Sequence, residues 1–507
     1  MSYINAITAA GYVPLCVYLS LYPFLFSWLL AVCRRRLPRV PIALAFPILW
    51  VFVELLRCEI VLNGYPWFQL AQPLIESPGL AAPARIGGEY LVSFMVAWVA
   101  GAFLDVVASR PRWRRGAVFF AVALLAFGSA AFSRPHVGDR TMNAGLIQTN
   151  LPQSNKIGWT IEERVRDMAR WTELTRRAAA ATPRPQVIVW PETMFPGFFL
   201  DADAVRTLRD NGIGLPIRRA DGAPDRVVLA GFADQLLGLS LELDVPMLVG
   251  GIGVEGLRVS RRDGGGVGLE FDARHNSVFF LEHGRIAAPR YDKMALTPMG
   301  EYMPVVGRWK WLQDRLLAFG GNGMAFDLRA GTDPTVFEVT TGHGPVRIVT
   351  PICFETTWAT QCQLLVGAGG SRRADVLACL TNDGWFADSD RGREQHLQAA
   401  RWRCLELGTP MIRAANTGIS AAIDQDGRVL KQGVDGQART TDIDGVLSVS
   451  VPIPSGETTY LRHGDQFRGP ALAAGSLLAA AGVLSNLVAW RRKRAGGGDV
   501  PRPEIKR

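Results

Sequence analysis

The sequence predicts an α/β domain joined to a bundle of membrane-spanning helices, and two observations lead to this prediction. Residues 1–33 and 470–490 contain no charged side chain, although charged residues make up 20% of the 507-residue chain. Long uncharged apolar runs are typical of helices that cross a bilayer. Between residues 135 and 469, strand-like apolar runs alternate with helical stretches, which is the pattern of an α/β domain.

Five apolar segments approach the length of about 20 residues that a bilayer requires. They cover residues 13–33, 40–62, 89–107, 116–132 and 470–490. A buried core helix is the alternative, and it fits best the shortest segment, 116–132. Segment 40–62 contains Glu54 and Arg57 on one helical face, where charges are expected to be functional or paired, or to reach the outer surface.

Clusters of arginine beside these segments predict their orientation. The clusters are Arg34–Arg36, Arg110–Arg115 and Arg491–Arg494. Positive clusters favour the cytoplasmic side, and all three can lie there only if residues 63–88 and 133–469 face outward. We therefore expect the globular domain to be extracytoplasmic. Met1 would then also lie outside, which an odd number of further upstream helices would explain.

The predicted organisation follows from these segments. Residues 1–134 form a membrane domain with about four transmembrane helices, and residues 135–469 form the extracytoplasmic globular domain. Residues 470–490 form a C-terminal transmembrane helix, and residues 491–507 form a basic cytoplasmic tail. Within the globular domain, strand-like runs are Met142–Thr149, Val187–Trp190, Met247–Val254, Asn276–Leu281, Val346–Ile352, Val376–Leu380 and Met411–Ala414, and helical patterns cover 160–181 and 392–407. Residues 201–245 resemble an insertion or lid.

The overall charge and the cysteines exclude several classes of function. The net charge of +9 could indicate a nucleic-acid partner, but much of the excess lies in the three arginine clusters, which are better explained as topology signals. We therefore expect no nucleic acid. The seven cysteines show no paired spacing, and the six histidines are scattered. Neither a disulfide framework nor a metal site is expected.

Three segments have the form of an apolar run that ends in a reactive residue. They end at Glu192, at Lys293 and at Cys353. Singly, each has a simpler explanation, because cysteine is often just buried and a glutamate after a strand is often a solvated loop residue. Lys293 is more informative, because only six of the 55 basic residues are lysine. Residues at strand ends lie where loops form active sites.

Together the three residues are suited to acyl transfer. A thiol attacks a carbonyl as the thiolate, and a carboxylate can accept its proton and return it later. An ammonium stabilises both the thiolate and the oxyanion of a tetrahedral intermediate. The sequence thus predicts covalent catalysis by a Glu–Lys–Cys triad.

The order and context of these residues resemble the nitrilase superfamily of carbon–nitrogen hydrolases and, more narrowly, the apolipoprotein N-acyltransferase family. The matching motifs are Leu146–Gln153, Trp190–Glu192, Gly300–Pro304, Thr381–Phe386, Gln395–Leu397, Arg413–Gly418 and Ala422–Asp424. In the membrane part, Glu54–Arg57 and Gly64–Trp67 also match. The similarity extends from about residue 10 to 490.

The resemblance implies a nitrilase-like α-β-β-α sandwich on the transmembrane bundle. It implies that Glu192 is the general base, that Lys293 stabilises the oxyanion and that Cys353 is the nucleophile. Its further implied site residues are the supporting glutamates Glu301 and Glu355 and, near the substrate, Trp159, Asn382 and Trp385. Aromatic packing is the alternative for the two tryptophans.

The implied reaction is a ping-pong acyl transfer in the bacterial inner (cytoplasmic) membrane. Cys353 would take an acyl chain from a phospholipid and pass it to the diacylglyceryl-cysteine of a lipoprotein, without a cofactor. The family has eight membrane helices and the start of this chain resembles the fourth, so about three are expected to be missing. The alternatives are a membrane-tethered amidase, acyl transfer to another amine and a non-catalytic relative.

Overall fold

In the computed structural model, the chain forms two compact units. One comprises residues 1–74, 79–132 and 465–507, and the other comprises residues 75–78 and 133–464. The structure describes residues 2–108, 113–130, 137–151, 158–218, 223–261, 267–298, 300–302, 311, 328–386, 389–437 and 439–495.

The first unit consists mainly of apolar helices, which are Ser2–Arg36, Ile42–Leu55, Ala84–Ala108, Trp113–Ala130 and Arg468–Ala495. Among the described residues, three stretches are long and apolar enough to cross a membrane, namely Tyr12–Arg36, Ala84–Val107 and Arg468–Arg492. Ile42–Leu55 has 14 residues and continues into a π-helix at Leu56–Ile60, and Trp113–Ala130 has 18 residues. Each of the five expected segments contains a helix, and the number that cross the bilayer stays a prediction.

Glu54 and Arg57 are both buried within this unit. The carboxylate of Glu54 accepts a hydrogen bond of 2.7 Å from the backbone N–H of Leu70. The guanidinium of Arg57 donates to the carbonyls of Trp67 and Phe68. The burial and the hydrogen bonds of Glu54 and Arg57 agree better with the expectation of paired charges than with charges that reach the outer surface. Both side chains hold the loop at residues 67–70.

The described part of the second unit contains two six-stranded sheets and three two-stranded hairpins. The strands are β1 (Val137–Gln148), β2 (Val187–Val189), β3 (Gly214–Arg218), β4 (Pro224–Val228), β5 (Met247–Glu255), β6 (Arg258–Arg261), β7 (Val267–Glu270), β8 (Ala273–Glu282), β9 (Arg285–Asp292), β10 (Phe337–Thr341), β11 (Gly344–Val349), β12 (Gly367–Ala368), β13 (Ser371–Arg372), β14 (Val376–Thr381), β15 (Met411–Ala415), β16 (Ala421–Ile423), β17 (Val429–Gln432) and β18 (Gly445–Pro454). The first sheet has the order β18-β1-β2-β5-β8-β9, and the second has the order β10-β11-β14-β15-β16-β17.

The two sheets share one hydrophobic core. Successive side chains of a strand point to opposite faces, so each strand of the first sheet contributes both to this core and to the outer face of its sheet. Leu146, Val189 and Phe280 of the first sheet belong to the same buried cluster as Ile348 and Leu380 of the second. The alternate residues of the first sheet, such as Ile188 and Phe279, belong to another cluster on its outer face.

Helices cover the outer faces of both sheets. Ile161–Ala179 and Ala230–Leu243 pack on the first sheet, and Ala359–Val366 and Asp390–Leu407 pack on the second. The four layers are therefore helix, sheet, sheet and helix, and the predicted α-β-β-α sandwich is confirmed.

Local sequence explains the start of the helix Ile161–Ala179. The hydroxyl of Thr160 accepts a hydrogen bond from the backbone N–H of Glu163, and the Glu163 carboxylate accepts one of 2.9 Å from the N–H of Thr160. This reciprocal cap satisfies two N–H groups that a helix leaves unpaired. Met168, Trp171, Leu174 and Ala178 then recur at helical spacing and are buried.

The region at residues 201–245, which resembles an insertion in the sequence, contributes to the core. It forms the helix Ala202–Asp210, the hairpin β3–β4 and the helix Ala230–Leu243. Leu208 and Leu236 from its two helices are buried in the cluster outside the first sheet. Its behaviour as a lid stays a prediction.

Candidate active site

The central strands of both sheets run parallel and place polar residues at their carboxyl ends. β1 pairs in parallel with β2 and β2 with β5, while β11 pairs in parallel with β14 and β14 with β15. Glu192, Cys353, Asn382 and Asn416 follow the ends of β2, β11, β14 and β15. Sites in α/β sheets form outside such carboxyl ends, and the hydrogen bonds described below join these residues across the two sheets.

Glu192 is held between the two sheets. Its side chain is 5% exposed. Oε1 accepts a hydrogen bond of 2.7 Å from Nδ2 of Asn276 in the first sheet, and Oε2 accepts one of 2.8 Å from the backbone N–H of Asn382 after the second sheet's β14. Thr193, the next residue, has a φ of 52°, so the chain turns sharply away directly after the carboxylate. Both oxygens therefore have fixed directions before any substrate arrives.

Lys293 follows β9 and is 1% exposed. Its Nζ lies 2.8 Å from Oε2 of Glu301 and 3.6 Å from Oε1 of Glu192, and it donates to the hydroxyl of Thr297 at 3.2 Å. Burial by itself lowers the pKa of Lys293, but the charges of Glu301 and Glu192 outweigh burial and raise it above its ordinary value. The amine is therefore a fixed ammonium at neutral pH.

Glu301 is the closer counter-charge of this ammonium. Burial favours the neutral form of Glu301, but the charge of Lys293 outweighs burial and lowers the pKa of the carboxyl below its ordinary value. The Glu301 carboxylate also accepts hydrogen bonds of 2.7 Å from the backbone N–H of Thr297 and from Nδ2 of Asn276. Glu301 thus orients Lys293 and is itself oriented.

Sequence reasoning missed Asn276. One nitrogen of its amide donates at 2.7 Å to both Glu192 and Glu301, so this side chain fixes the spacing of the two carboxylates that flank Lys293. Asn276 is 2% exposed and stands in β8, two residues before the apolar run Val278–Leu281. The signal available in the sequence was a polar amide in a predicted strand, since such a group requires partners when it is buried.

Cys353 stands at a sharp turn between β11 and a 3₁₀-helix over Cys353–Thr357. Its φ is 51°, a left-handed conformation that costs a non-glycine residue energy and occurs often at functional sites. The residue is 8% exposed. Burial, together with the charge of Glu192, raises the pKa of the thiol, while Lys293 opposes the rise. The resting group is therefore a neutral thiol within the field of both Glu192 and Lys293.

Glu355 connects the turn at Cys353 to the segment after Lys293. Its carboxylate accepts hydrogen bonds from the backbone N–H groups of Ile352, Met294 and Ala295 at 2.8 to 2.9 Å and from the hydroxyl of Tyr291. The side chain is fully buried. Burial raises the pKa of Glu355 to about 7, although the N–H donors oppose this. Glu355 is a structural tie between the proposed nucleophile and the proposed cation.

The three residues expected near the substrate occupy different environments. Asn382 is fully buried, and its Oδ1 accepts from Asn416, which also bonds to Leu151. Trp385 is 44% exposed in the short helix that follows. Trp159 is half-buried, and its indole N–H donates to Asp167 at 3.0 Å. Asn382 therefore contacts Glu192 through its backbone N–H, and Trp385 follows three residues later in the chain, whereas Trp159 is tied to the helix that it precedes.

Some predicted pieces lie outside the described residues. They include Pro152 and Gln153 of the motif Leu146–Gln153 and Met303 and Pro304 of the motif Gly300–Pro304. Within the described residues, no group of three histidine, cysteine, aspartate or glutamate side chains could hold a metal ion.

A buried glutamate, lysine and cysteine within an α-β-β-α sandwich are the fold and the residues that the sequence resemblance implied for the class of carbon–nitrogen hydrolases. Consistent with this class, residues 144–452 match the carbon–nitrogen hydrolase family model. Residues 1–102 match the model of the apolipoprotein N-acyltransferase N-terminal domain. The chain belongs to the apolipoprotein N-acyltransferase family, and it is accordingly a membrane protein and an acyltransferase.

Individual relatives agree with this assignment. The chain is 32% identical over 496 residues to an apolipoprotein N-acyltransferase of Bordetella bronchiseptica, covering 93% of this chain and 80% of that one. It is 29% identical to the apolipoprotein N-acyltransferase of Geobacter metallireducens, covering 94% of this chain and 79% of that one. Among solved structures, an amidase from Nesterenkonia sp. aligns with 66% of this chain and 98% of its own, at 14% identity and a TM-score of 0.40. The matched relatives are bacterial proteins.

Proposed function

We propose that this protein transfers an acyl chain from a phospholipid to the amine of the N-terminal diacylglyceryl-cysteine of a lipoprotein, through a thioester on Cys353. The observation that supports this most is the joint burial of the thiol of Cys353, the ammonium of Lys293 and the carboxylate of Glu192. The family to which the chain belongs is named for N-acylation of apolipoproteins, and this supports the acceptor. Both substrates are lipids, which fits a chain with helices long enough to cross a membrane.

In the first half-reaction, the thiol of Cys353 attacks the ester carbonyl of the phospholipid. Glu192 accepts the thiol proton as the sulfur–carbon bond forms, and the ammonium of Lys293 stabilises the oxyanion. The carbon–oxygen bond to the glycerol then breaks, and Glu192 returns the proton to the leaving alkoxide. The products are a lysophospholipid and an acyl thioester on Cys353.

In the second half-reaction, the acceptor amine attacks the thioester carbonyl. Glu192 takes a proton from the attacking nitrogen while Lys293 again stabilises the oxyanion. The carbon–sulfur bond breaks, the amide is released, and the sulfur leaves as a thiolate that regains the proton from Glu192. Atoms and charge balance without a cofactor.

The charge distribution supports a base that acts during the attack. Burial and Glu192 raise the pKa of Cys353, so a preformed thiolate is disfavoured and the proton must move as the bond forms. Glu192 is the acceptor suited to this step, because its oxygens are held by two N–H donors, whereas the shorter ion pair of Lys293 is made with Glu301.

Further residues have supporting roles in this proposal. Glu301 orients Lys293, and Glu355 fixes the turn of Cys353. Asn382 positions Glu192 through its backbone N–H. The half-exposed indole of Trp385 contacts the substrate. Trp159 stays a prediction as a substrate contact, since its indole already pairs with Asp167.

The proposed location is the bacterial inner membrane, with several membrane-spanning helices. In this arrangement, residues 1–134 form the membrane domain, 135–469 the catalytic domain on the extracytoplasmic side and 470–490 a C-terminal transmembrane helix, with 491–507 as a cytoplasmic tail. The arginine clusters at residues 34–36, 110–115 and 491–494 support this orientation by the positive-inside rule.

The test is to incubate the purified full chain in detergent with phosphatidylethanolamine and to measure its intact mass. We expect one acyl mass to be added to the wild-type chain, none to Cys353→Ala, and the adduct to be discharged by a diacylglyceryl-cysteine peptide. Cys362→Ala, at another buried thiol, is the matched control and should still be acylated.

Other outcomes would change the proposal in defined ways. Discharge by water but not by the peptide would indicate an amidase or hydrolase. Discharge by a different amine alone would reassign the acceptor. A mass increase that persists in Cys353→Ala would exclude this residue as the nucleophile.

A further inference from the structure

The turn at Cys353 needs support from outside its own segment. A left-handed φ of 51° is a conformation that cysteine adopts only when the surroundings impose it. The carbonyl of Cys353 is part of this turn, and it accepts a hydrogen bond of 2.8 Å from the hydroxyl of Thr356. It also faces Nε2 of His396 at 3.2 Å. His396 therefore contacts the backbone of the proposed nucleophile directly from the helix Asp390–Leu407.

The neighbours of His396 require that its Nε2 carries a proton. A carbonyl oxygen can only accept, and the hydroxyl of Thr356 already uses its hydrogen toward Cys353, so it can also only accept from His396 at 3.2 Å. Nε2 must therefore be an N–H donor. Nδ1 lies 2.9 Å from Oδ1 of Asp383 and 3.1 Å from Nη2 of Arg413.

Asp383 and Arg413 form a rigid support for this ring. Both side chains are fully buried, and Nη2 of Arg413 lies 2.9 and 3.1 Å from the two carboxylate oxygens. Burial disfavours the charged form of Asp383, but Arg413 and His396 outweigh it and hold the pKa of this carboxyl well below its usual range. The hydroxyl of Thr381 donates to the same carboxylate at 3.0 Å.

Close packing at Gly418 confirms how little room this support has. A Cβ at residue 418 would lie 1.9 Å from Oδ2 of Asp383. The side chain of Asp383 is therefore packed directly against the backbone of Gly418. Whether Nδ1 donates to Asp383 or accepts from Arg413, the donor at Nε2 points to the carbonyl of Cys353.

We propose that His396, supported by the Asp383–Arg413 ion pair, is a positioning residue that holds the carbonyl of Cys353 and thereby the left-handed turn that presents its thiol to Glu192 and Lys293. This inference rests on the proposed role of Cys353 as the nucleophile. In this proposal, neither His396 nor the two residues of its support act on the substrate. Their effect reaches the reaction through the direction of one sulfur atom.

The test compares His396→Gln with His396→Leu in the full-length purified chain. The amide nitrogen of glutamine can take the place of Nε2 and donate to the Cys353 carbonyl, whereas leucine fills the space without a donor. For each variant, we would measure kcat and KM for the diacylglyceryl-cysteine peptide. We would also measure the rate at which iodoacetamide alkylates Cys353, resolved by peptide mass spectrometry.

We expect His396→Leu to lower kcat by about 100-fold with KM nearly unchanged, because a small displacement of a reacting group costs about this much. Alkylation of Cys353 should slow in parallel. His396→Gln should recover most of both rates. Leu405→Ala, at a buried position of the same helix, should lower the melting temperature while leaving both rates close to wild type.

A role in stability alone would give a different result. The loss of activity in His396→Gln, His396→Leu and Leu405→Ala would then follow the fall in melting temperature of each variant. This result would overturn the proposal. Normal kcat and alkylation in His396→Leu would also overturn it. If instead Cys353→Ala keeps acyl transfer, the proposed function fails first. If Cys353→Ala is inactive and His396→Leu has normal rates, only this inference is rejected and the proposed function stands.

Discussion

The ammonium of Lys293 forms its shortest ion pair with Glu301, at 2.8 Å, inside a site where both side chains are buried. The carboxylate of Glu192 lies farther away, at 3.6 Å. This difference separates two functions that charge alone would not distinguish. In the proposed mechanism, Glu301 neutralises and orients the cation, and Glu192 stays available to exchange a proton.

Replacement of Glu301 tests this separation. In Glu301→Gln, Lys293 loses its nearest counter-charge and turns toward Glu192, which then serves as its ion-pair partner. We expect kcat to fall by about 100-fold, corresponding to about 2 to 3 kcal/mol for a lost charged hydrogen bond. Steady-state acyl transfer to a diacylglyceryl-cysteine peptide measures the effect. Glu338→Gln, at an exposed position of β10, is the control, and a kcat within threefold of wild type in Glu301→Gln would contradict the assignment.

The raised pKa of Glu355 predicts how the stability of the protein depends on pH. Its pKa is raised from 4.5 to about 7 in the folded chain, so the folded state binds a proton more tightly than the unfolded state. This stabilisation is complete below pH 4.5 and is lost as the pH rises through 7, and its size is about 3 kcal/mol. We expect the melting temperature of the wild type, relative to that of Glu355→Gln, to fall between pH 4.5 and 7 and to level off above pH 7.

The measurement is a thermal melt of both proteins in detergent at closely spaced pH values. The variant controls for every other titrating group, because only the difference between the two curves is assigned to Glu355. A difference that stays constant across this range, or that grows with pH, would show that Glu355 does not carry the proton.

The two tryptophans near the site are expected to respond differently to truncation. Trp385→Ala should raise KM for the lipid substrates by about tenfold, because a half-exposed indole has little packing to lose and is free to bind an apolar chain. Trp159→Ala should lower the melting temperature, because its ring packs on Trp171 with centroids 5.8 Å apart and lies 4.6 Å from the guanidinium of Arg164. Kinetics and melts of both variants make the comparison, and the opposite pattern would assign the substrate contact to Trp159.

The proposed orientation can be tested with single cysteines in spheroplasts. Asp203, whose side chain is 92% exposed, lies in the catalytic unit, and Arg36 ends the first helix at an arginine cluster. A membrane-impermeant maleimide should label Asp203→Cys in intact spheroplasts. It should label Arg36→Cys only after lysis. Cys16→Ser removes the exposed native thiol as background. Labelling of Arg36→Cys without lysis would reverse the orientation.

The sequence by itself determined the class of fold and the family, and it predicted the three residues that are proposed to react. Each depends on local order along the chain. Uncharged apolar runs indicate membrane helices whatever they pack against, and strands that alternate with helices indicate an α/β domain. Glu192, Lys293 and Cys353 could be found because each ends an apolar run inside a recognisable motif.

Only the tertiary structure decided which partners these residues have. Asn276 joins Glu192 to Glu301, and His396 reaches Cys353 from a helix that begins 37 residues later in the chain. Such contacts depend on the order of the strands in each sheet and on the face to which each side chain points. Neither can be inferred from the local patterns of a single sequence. A buried polar group must find a partner, and the identity of that partner is fixed only when the two sheets pack together.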